Sequence, residues 1–282
     1  MNAHGPSMET ICEAKVPFEE DRLWIGAVRP WLAARQVAGE ALKIANYVVT
    51  EMLNNVRDHS GSPCVVVRAD ASPVSFVLHV VDEGVGVFRR LSDGLSLAGP
   101  REAVIEVTKG KRTTDPAQHT GQGIFFSSRL CEWFCLEANG YAVAFAAGGR
   151  AEPLEFLSDS SRAGTTVKLR IARQPQKTLR EVFDEYCPQP DIDFVRTRIA
   201  VRLMAEADAS LVSRSQARRL MAGLELFTRV ELDFDGVDDV AQGFADEVFR
   251  VWAKAHPAVT LKALNADVGV ARMLRHVGFT DV

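Results

Sequence analysis

The stretch Val80-Val81-Asp82-Glu83-Gly84-Val85-Gly86-Val87-Phe88 decides the fold of the first half of the chain. An apolar strand ends there on a carboxylate, and glycines follow two residues apart. Glycine lets the backbone take positive φ or approach a ligand closely, while a carboxylate at a strand end can accept a hydrogen bond from a base amine. Upstream, CVVVRAD and VSFVLHVVD alternate around Ala71-Ser72-Pro73, which predicts a hairpin. Downstream, residues 84–123 are rich in Gly, Ser, Thr and charge and read mostly as loop, with one short helix near 100–107. The segment HTGQGIFF (119–126) then opens a helix near Gly123, read as continuing through FFSSRLCEWFCLEA. Exposed N–H groups at a helix N-terminus favour an anion, and Gly121 and Gly123 permit its close approach. Strands YAVAFAA and TTVKLRI close this block near residue 172, the second preceded by Gly164-Thr165-Thr166.

Before the hairpin, TICEAKVPF reads as a strand, and FEEDRLWIGAVRPWLAARQ as a helix interrupted near Pro30. A longer helix, EALKIANYVVTEMLNNVRDH, follows. On it Ala45, Val48, Val49, Met52, Leu53 and Val56 share one arc, which predicts a core-facing stripe. Glu51, Asn55, Asp58 and His59 project at its border. A carboxylate and an amide one turn apart can position a metal-bound ligand and a water, although the pair taken alone is better read as a solvated polar face.

Residues 173–190 contain three prolines and read as a linker. Beyond them strands TRIAVRLM, RVELDFDGV and VTLKAL alternate with helices SQARRLMAGL, GFADEVFRVWAKA and VGVARMLRHV. That rhythm predicts a parallel or mixed sheet with helices packed on it. The domain expectation is therefore 1–172, a linker at 173–190, and 191–282.

At 47% hydrophobic residues, the 282-residue chain can bury cores without disulfide or metal staples. Residues 1–172 carry 18 basic and 20 acidic side chains and residues 173–282 carry 15 and 17, so each part is −2. Neither is the basic module that sequence-independent nucleic-acid binding requires. The five cysteines form no CxxC pair, and Cys131 and Cys135 read as core residues on one helix. With no Cys/His cluster, no charged leader followed by an apolar run and no long apolar segment, the expectation is a cytoplasmic protein without a zinc site or membrane span.

Taken in order, E-x-x-x-N at 51–55, D-x-G-x-G at 82–86, G-x-G at 121–123 before a helix and G-T at 164–165 before a strand resemble the GHKL ATPase family. Gyrase B, MutL, the heat-shock-90 chaperones, sensor histidine kinases and anti-sigma-factor kinases belong to it. The resemblance covers roughly residues 10–172 and implies the Bergerat fold, an α/β (α+β) sandwich of a mixed sheet backed by helices. ATP or ADP would lie between the helices and a mobile lid at about 88–120. Carried over by position, Asp82 would bind the adenine amine with Thr165 in support, and Asn55 would coordinate Mg²⁺. Gly84, Gly86, Gly121, Gln122 and Gly123 would shape the adenine and phosphate loops. Lys109, Lys111 and Arg112 would reach the γ-phosphate, with a solvated basic loop as the alternative account. Glu51 would act as the general base or orient the nucleophile. Sensor histidine kinases generally have Asn there and an upstream phosphoacceptor helix, which this chain lacks. The phosphate box reads GQGIFF, without the leucine-rich continuation many members show.

The C-terminal block, over roughly 195–278, resembles a STAS-like family of unknown function. Where STAS antagonists offer a phosphorylatable Ser, this chain has Val240-Ala241-Gln242-Gly243-Phe244, so a docking or regulatory role is implied. Ser210, Ser213 and Ser215 read as helix-start residues, and Asp233, Asp235, Asp238 and Asp239 as a solvated loop. Three functions fit: an ATP-driven conformational switch with slow hydrolysis, an anti-sigma-type Ser/Thr kinase acting on a separate protein, and a non-catalytic nucleotide-gated interaction module. All three imply ATP and a protein as partners, and a homodimer is compatible with each.

Overall fold

The computed structural model describes residues 8–111, 121–157, 162–187, 195–208 and 211–281. Strand β1 (Glu9–Lys15) leads into a helical run made of α1 (Glu20–Leu23), a π turn (Trp24–Val28) and α2 (Arg29–Ala34). The run is not interrupted near Pro30, as the sequence suggests. Pro30 lies in the first turn of α2, and the wide π turn before it relieves the clash a proline ring makes with the carbonyl four residues back. Helix α3 (Gly39–Asn55) continues through a π turn (Val56–Ser60) and stops at Gly61, which is left-handed at φ 67°. Its predicted stripe from Ala45 to Val56 is buried.

Strands β2 (Cys64–Ala71) and β3 (Ser75–Asp82) form the expected hairpin, registered Val65 to Asp82 at one end and Ala71 to Phe76 at the other. Two helices follow: α4 (Val87–Gly94) lies where the sequence reads as loop, whereas α5 (Pro100–Lys109) answers to the short helix expected near 100–107. Helix α6 (Gly123–Leu130) is shorter than expected, because Trp133–Ala138 is strand β4. Cys131 and Cys135 therefore do not share a helix, yet both are buried, and burial raises both thiol pKa values, that of Cys135 to about 12. Strands β5 (Tyr141–Ala146), β6 (Arg150–Ala151), β7 (Glu155–Phe156) and β8 (Thr165–Ala172) complete the block.

The strand order is β1-β2-β3-β8-β4-β5-β6, with β7 also on β5. Every pairing is antiparallel, so the sheet is not the mixed one expected. Helices α3 and α6 pack on its inner face. Along β3 that face takes Phe76, Leu78, Val80 and Asp82, and along β8 it takes Thr165, Val167, Leu169 and Ile171. The two-residue period of a strand thus delivers Asp82 and Thr165 to the helix side of the sheet, where an apolar residue would otherwise stand.

The 173–190 stretch is no bare connector. It holds α7 (Leu179–Tyr186), started by a reciprocal cap between Thr178 and Glu181, and Phe183 of α7 stacks on Phe126 of α6 at 4.3 Å. The C-terminal part runs β9 (Arg196–Ala200), α8 (Val201–Asp208), α9 (Arg214–Met221), β10 (Arg229–Asp233) and α10 (Gln242–Asp246). A π turn (Glu247–Trp252), α11 (Ala253–Ala255), β11 (Thr260–Leu264) and α12 (Val268–His276) follow. The three strands pair in parallel in the order β11-β10-β9. Val201–Met204, read as strand, begin α8 instead. The fold is a mixed α/β arrangement of the α+β kind, and its buried apolar residues form one cluster running through both sheets. Among the described residues no helix is long and apolar enough to cross a membrane.

Candidate functional site

A cavity of about 300 Å³ opens between α3, α4 and the start of α6, floored by β3, β4 and β8. Glu51, Asn55, Asp82, Gly86 and Thr165 line it, together with Gly121, Gln122 and Gly123. Four segments separated by up to 114 positions in sequence therefore meet in one place.

The sheet end is the best-buried part. Asp82, 5% exposed, accepts from the Gly84 N–H at 2.8 Å and is hydrogen-bonded by Thr165. Burial pushes its carboxyl pKa above the usual range, and the bonds from Gly84 and Thr165 only partly offset that rise. The Thr165 hydroxyl also accepts from the Val87 N–H at 3.0 Å, so one side chain ties β8 to Asp82 and to the first turn of α4. Gly164, at φ 82°, passes so close that a Cβ there would lie 1.9 Å from the Asp82 carbonyl oxygen.

The loop after Asp82 is held by residues that the sequence reading did not single out. Ser60 accepts from the Val85 N–H through its carbonyl at 2.9 Å, and the Ser62 hydroxyl accepts from the Glu83 N–H at 3.0 Å. Gly84 does not line the cavity. It is required because a Cβ there would lie 2.1 Å from the Ser60 carbonyl oxygen. Asn139, in the β4–β5 turn, accepts from the Arg89 N–H and donates to the Val85 carbonyl, both at 3.0 Å, and so caps α4 from a distant strand. A Cβ on Gly86 would strike that Asn139 side chain at 2.4 Å.

At the opposite end the Glu51 carboxylate lies against Gly123, where a Cβ would be 2.2 Å from Glu51 Oε2. Asn55, one turn along α3, faces the same space, and the buried Oδ1 of Asn54 has no hydrogen-bond partner among the described residues. Asn55 and Glu51 offer the hard oxygen donors that suit Mg²⁺. Among the described residues no group of three His, Cys, Asp or Glu side chains could cage a metal alone. Such a donor set fits a Mg²⁺ that keeps waters and takes its remaining oxygens from a phosphate-bearing ligand.

Two predicted site residues are elsewhere. Lys109 is fully buried and lines no part of the cavity. Its Nζ is 2.6 Å from Glu106 Oε1 and donates at 3.0 Å to the carbonyls of Arg219 and Ala222, at the end of α9. An ammonium at a helix C-terminus meets carbonyls that have no partner within the helix. Lys111 donates to the Leu226 carbonyl at 3.2 Å and lies over the Phe227 ring. Both lysines thus serve the contact with the C-terminal part. Arg112 falls outside the described residues, as does the rest of the expected lid from 112 to 120. The described part of that lid is α4 and α5, and Ala103 to Lys109 are all buried.

Arg129, at the far end of α6, makes a second link. Its guanidinium lies 3.3 Å over the Phe125 ring and donates to the Arg198 carbonyl of β9 at 3.3 Å. Full burial lowers its pKa to about 10. In the C-terminal sheet Asp233 is not in a solvated loop. It is 4% exposed, paired with Arg198 at 2.8 Å, and accepts from Asn265 Nδ2 at 2.8 Å. Ser213 caps α9, as its position suggests, and Ser210 falls outside the described residues.

Residues 216–271, from α9 into α12, match the family model of a STAS-like domain of unknown function (DUF4325). The match lies inside the stretch that resembles such a domain by sequence and leaves residues 1–215 outside it. No curated protein matches the chain.

Proposed function

We propose that the chain is an ATP- and Mg²⁺-binding regulatory protein of GHKL type. Its Bergerat-like part, residues 1–172, would work as a conformational switch with slow hydrolysis, acting through the STAS-like part at 191–282. The observation that carries this reading is the convergence of Glu51, Asn55, Asp82, Gly121, Gly123 and Thr165 on one cavity. A single carboxylate recessed at a strand end suits an adenine amine, and a glycine-flanked helix start suits phosphate. Asn55 would hold Mg²⁺, which supplies charge neutralisation on the phosphates. Glu51 would take the proton of a water whose oxygen attacks the terminal phosphorus, while the bond to the bridging oxygen breaks and ADP leaves.

The route to the C-terminal part is short. Helix α5 carries Val107 on the cavity wall and Lys109 against α9. Helix α6 starts at Gly123 in the cavity and ends near Arg129 on β9. The test is phosphate release from ATP, with and without a separate serine-bearing protein, in the wild type and Glu51→Gln. Release that depends on Glu51 supports the switch. Transfer of label to the added protein would favour the anti-sigma-type kinase reading. Binding with neither release nor transfer would favour the nucleotide-gated module.

A further inference from the structure

We propose that Arg90 binds the anionic tail of the ligand, so that the cavity distinguishes nucleotides by the number of phosphates they carry. The assignment rests on the nucleotide reading above. Val87, Arg90 and Leu91 follow the i, i+3, i+4 spacing of one helix face, and all three line the cavity. Leu91 is buried, while Arg90 stands at the rim. Two distant side chains hold this helix, with the Val87 N–H on Thr165 and the Arg89 N–H on Asn139. The stem of Arg90 therefore starts from fixed backbone.

Arg90 is the only Lys or Arg among the described residues that line the cavity. The carboxyl groups of Glu51 and Asp82 line the same cavity from its two ends. A polyanion placed beside Gly123 lies close to the Glu51 carboxylate, and Lys109 and Lys111 are committed to backbone carbonyls of the C-terminal part. Among the described residues Arg90 is the permanent cation on the cavity lining. A guanidinium can grip a phosphate through two parallel N–H bonds, and no described ion pair or side-chain hydrogen bond occupies it.

Calorimetric titration of the wild type, Arg90→Gln and Arg90→Lys with adenosine, ADP and ATP, each with Mg²⁺, tests the assignment. Arg90 is exposed and has no side-chain partner among the described residues, so its variants should fold as the wild type does. In Arg90→Gln the Kd for ATP should rise about tenfold, as for the loss of a hydrogen bond to a charged group, and that for adenosine should stay constant. Arg90→Lys should recover part of the loss, and added salt should narrow the gap between wild type and Arg90→Gln. Unchanged ATP affinity in Arg90→Gln, or an equal loss for adenosine and ATP, overturns the assignment and leaves the nucleotide reading standing. A wild type that binds none of the three overturns both.

Discussion

Glu51 and Gly123 occupy one another's space: a Cβ on Gly123 would lie 2.2 Å from Glu51 Oε2, closer than any side chain can approach. The missing side chain at the first residue of α6 leaves room for a carboxylate from the C-terminal part of α3 to sit in the cavity. Gly123→Ala should therefore displace Glu51. Phosphate release should fall by about 10²-fold in Gly123→Ala and in Glu51→Gln, the range for losing a general base. The double variant should fall no further, because both changes remove one arrangement. Single-turnover assays on the three variants check this.

If the cavity takes an adenine nucleotide as proposed, the raised pKa of buried Asp82 gives its binding a pH dependence with a definite sign. An amine donor needs the ionised carboxylate, so affinity for adenosine should drop as pH falls through the raised value. In Asp82→Asn that dependence should vanish along with most of the affinity. The stability effect runs the other way. The folded state holds this proton more tightly than the unfolded chain, so Asp82 costs nothing below its unfolded pKa and becomes destabilising as pH rises through its folded one. Asp82→Asn should accordingly raise Tm at neutral pH, by a margin that shrinks in acid. Calorimetric scans across pH read this directly.

Lys109 should matter to stability and not to phosphate binding. Lys109→Met removes the ammonium that pairs with the buried Glu106 carboxylate and should cost about 3–5 kcal/mol in urea unfolding. The paired variant Glu106→Gln/Lys109→Met removes both charges and should recover much of that loss while keeping its affinity for ATP. A tenfold loss of ATP affinity in the paired variant would instead return Lys109 to the phosphates.

Asn139 acts on the cavity through α4. Its replacement by Ala removes the cap on the Arg89 N–H and places Ala at a φ of 51°, so stability should fall by about 1–2 kcal/mol. Hydrogen exchange of the α4 amides should accelerate in this variant while α12, at the other end of the chain, stays protected.

The cavity was legible where chemistry depends on backbone. Glycines at 84, 86, 121 and 123, a strand-end carboxylate and a helix stripe all carry strong local signals, and each of those elements formed. Length and period misled at 131–138, where CEWFCLEA suits a helix or a buried strand alike. The Asn139-Gly140 pair marked the turn after β4 and would have decided the case, since both residues take the positive φ of a tight hairpin. Helix α4 was hidden because VFRRLSDG is short and strongly charged, and its cap comes from a residue 50 positions away. The basic run at 109–112 looked like a phosphate-binding loop because no sequence pattern shows that α9 ends beside Lys109. Tertiary partners set what a lysine does. The spacing of a motif sets only where its backbone goes.

The central claim is that this cavity takes an adenine nucleotide, and isothermal titration with ADP and ATP, with and without Mg²⁺, on the wild type and Asp82→Asn tests it most directly. The account predicts one site per chain, tighter binding of ATP when Mg²⁺ is present, and loss of binding in Asp82→Asn. Absence of binding in the wild type, or equal binding in Asp82→Asn, would contradict it.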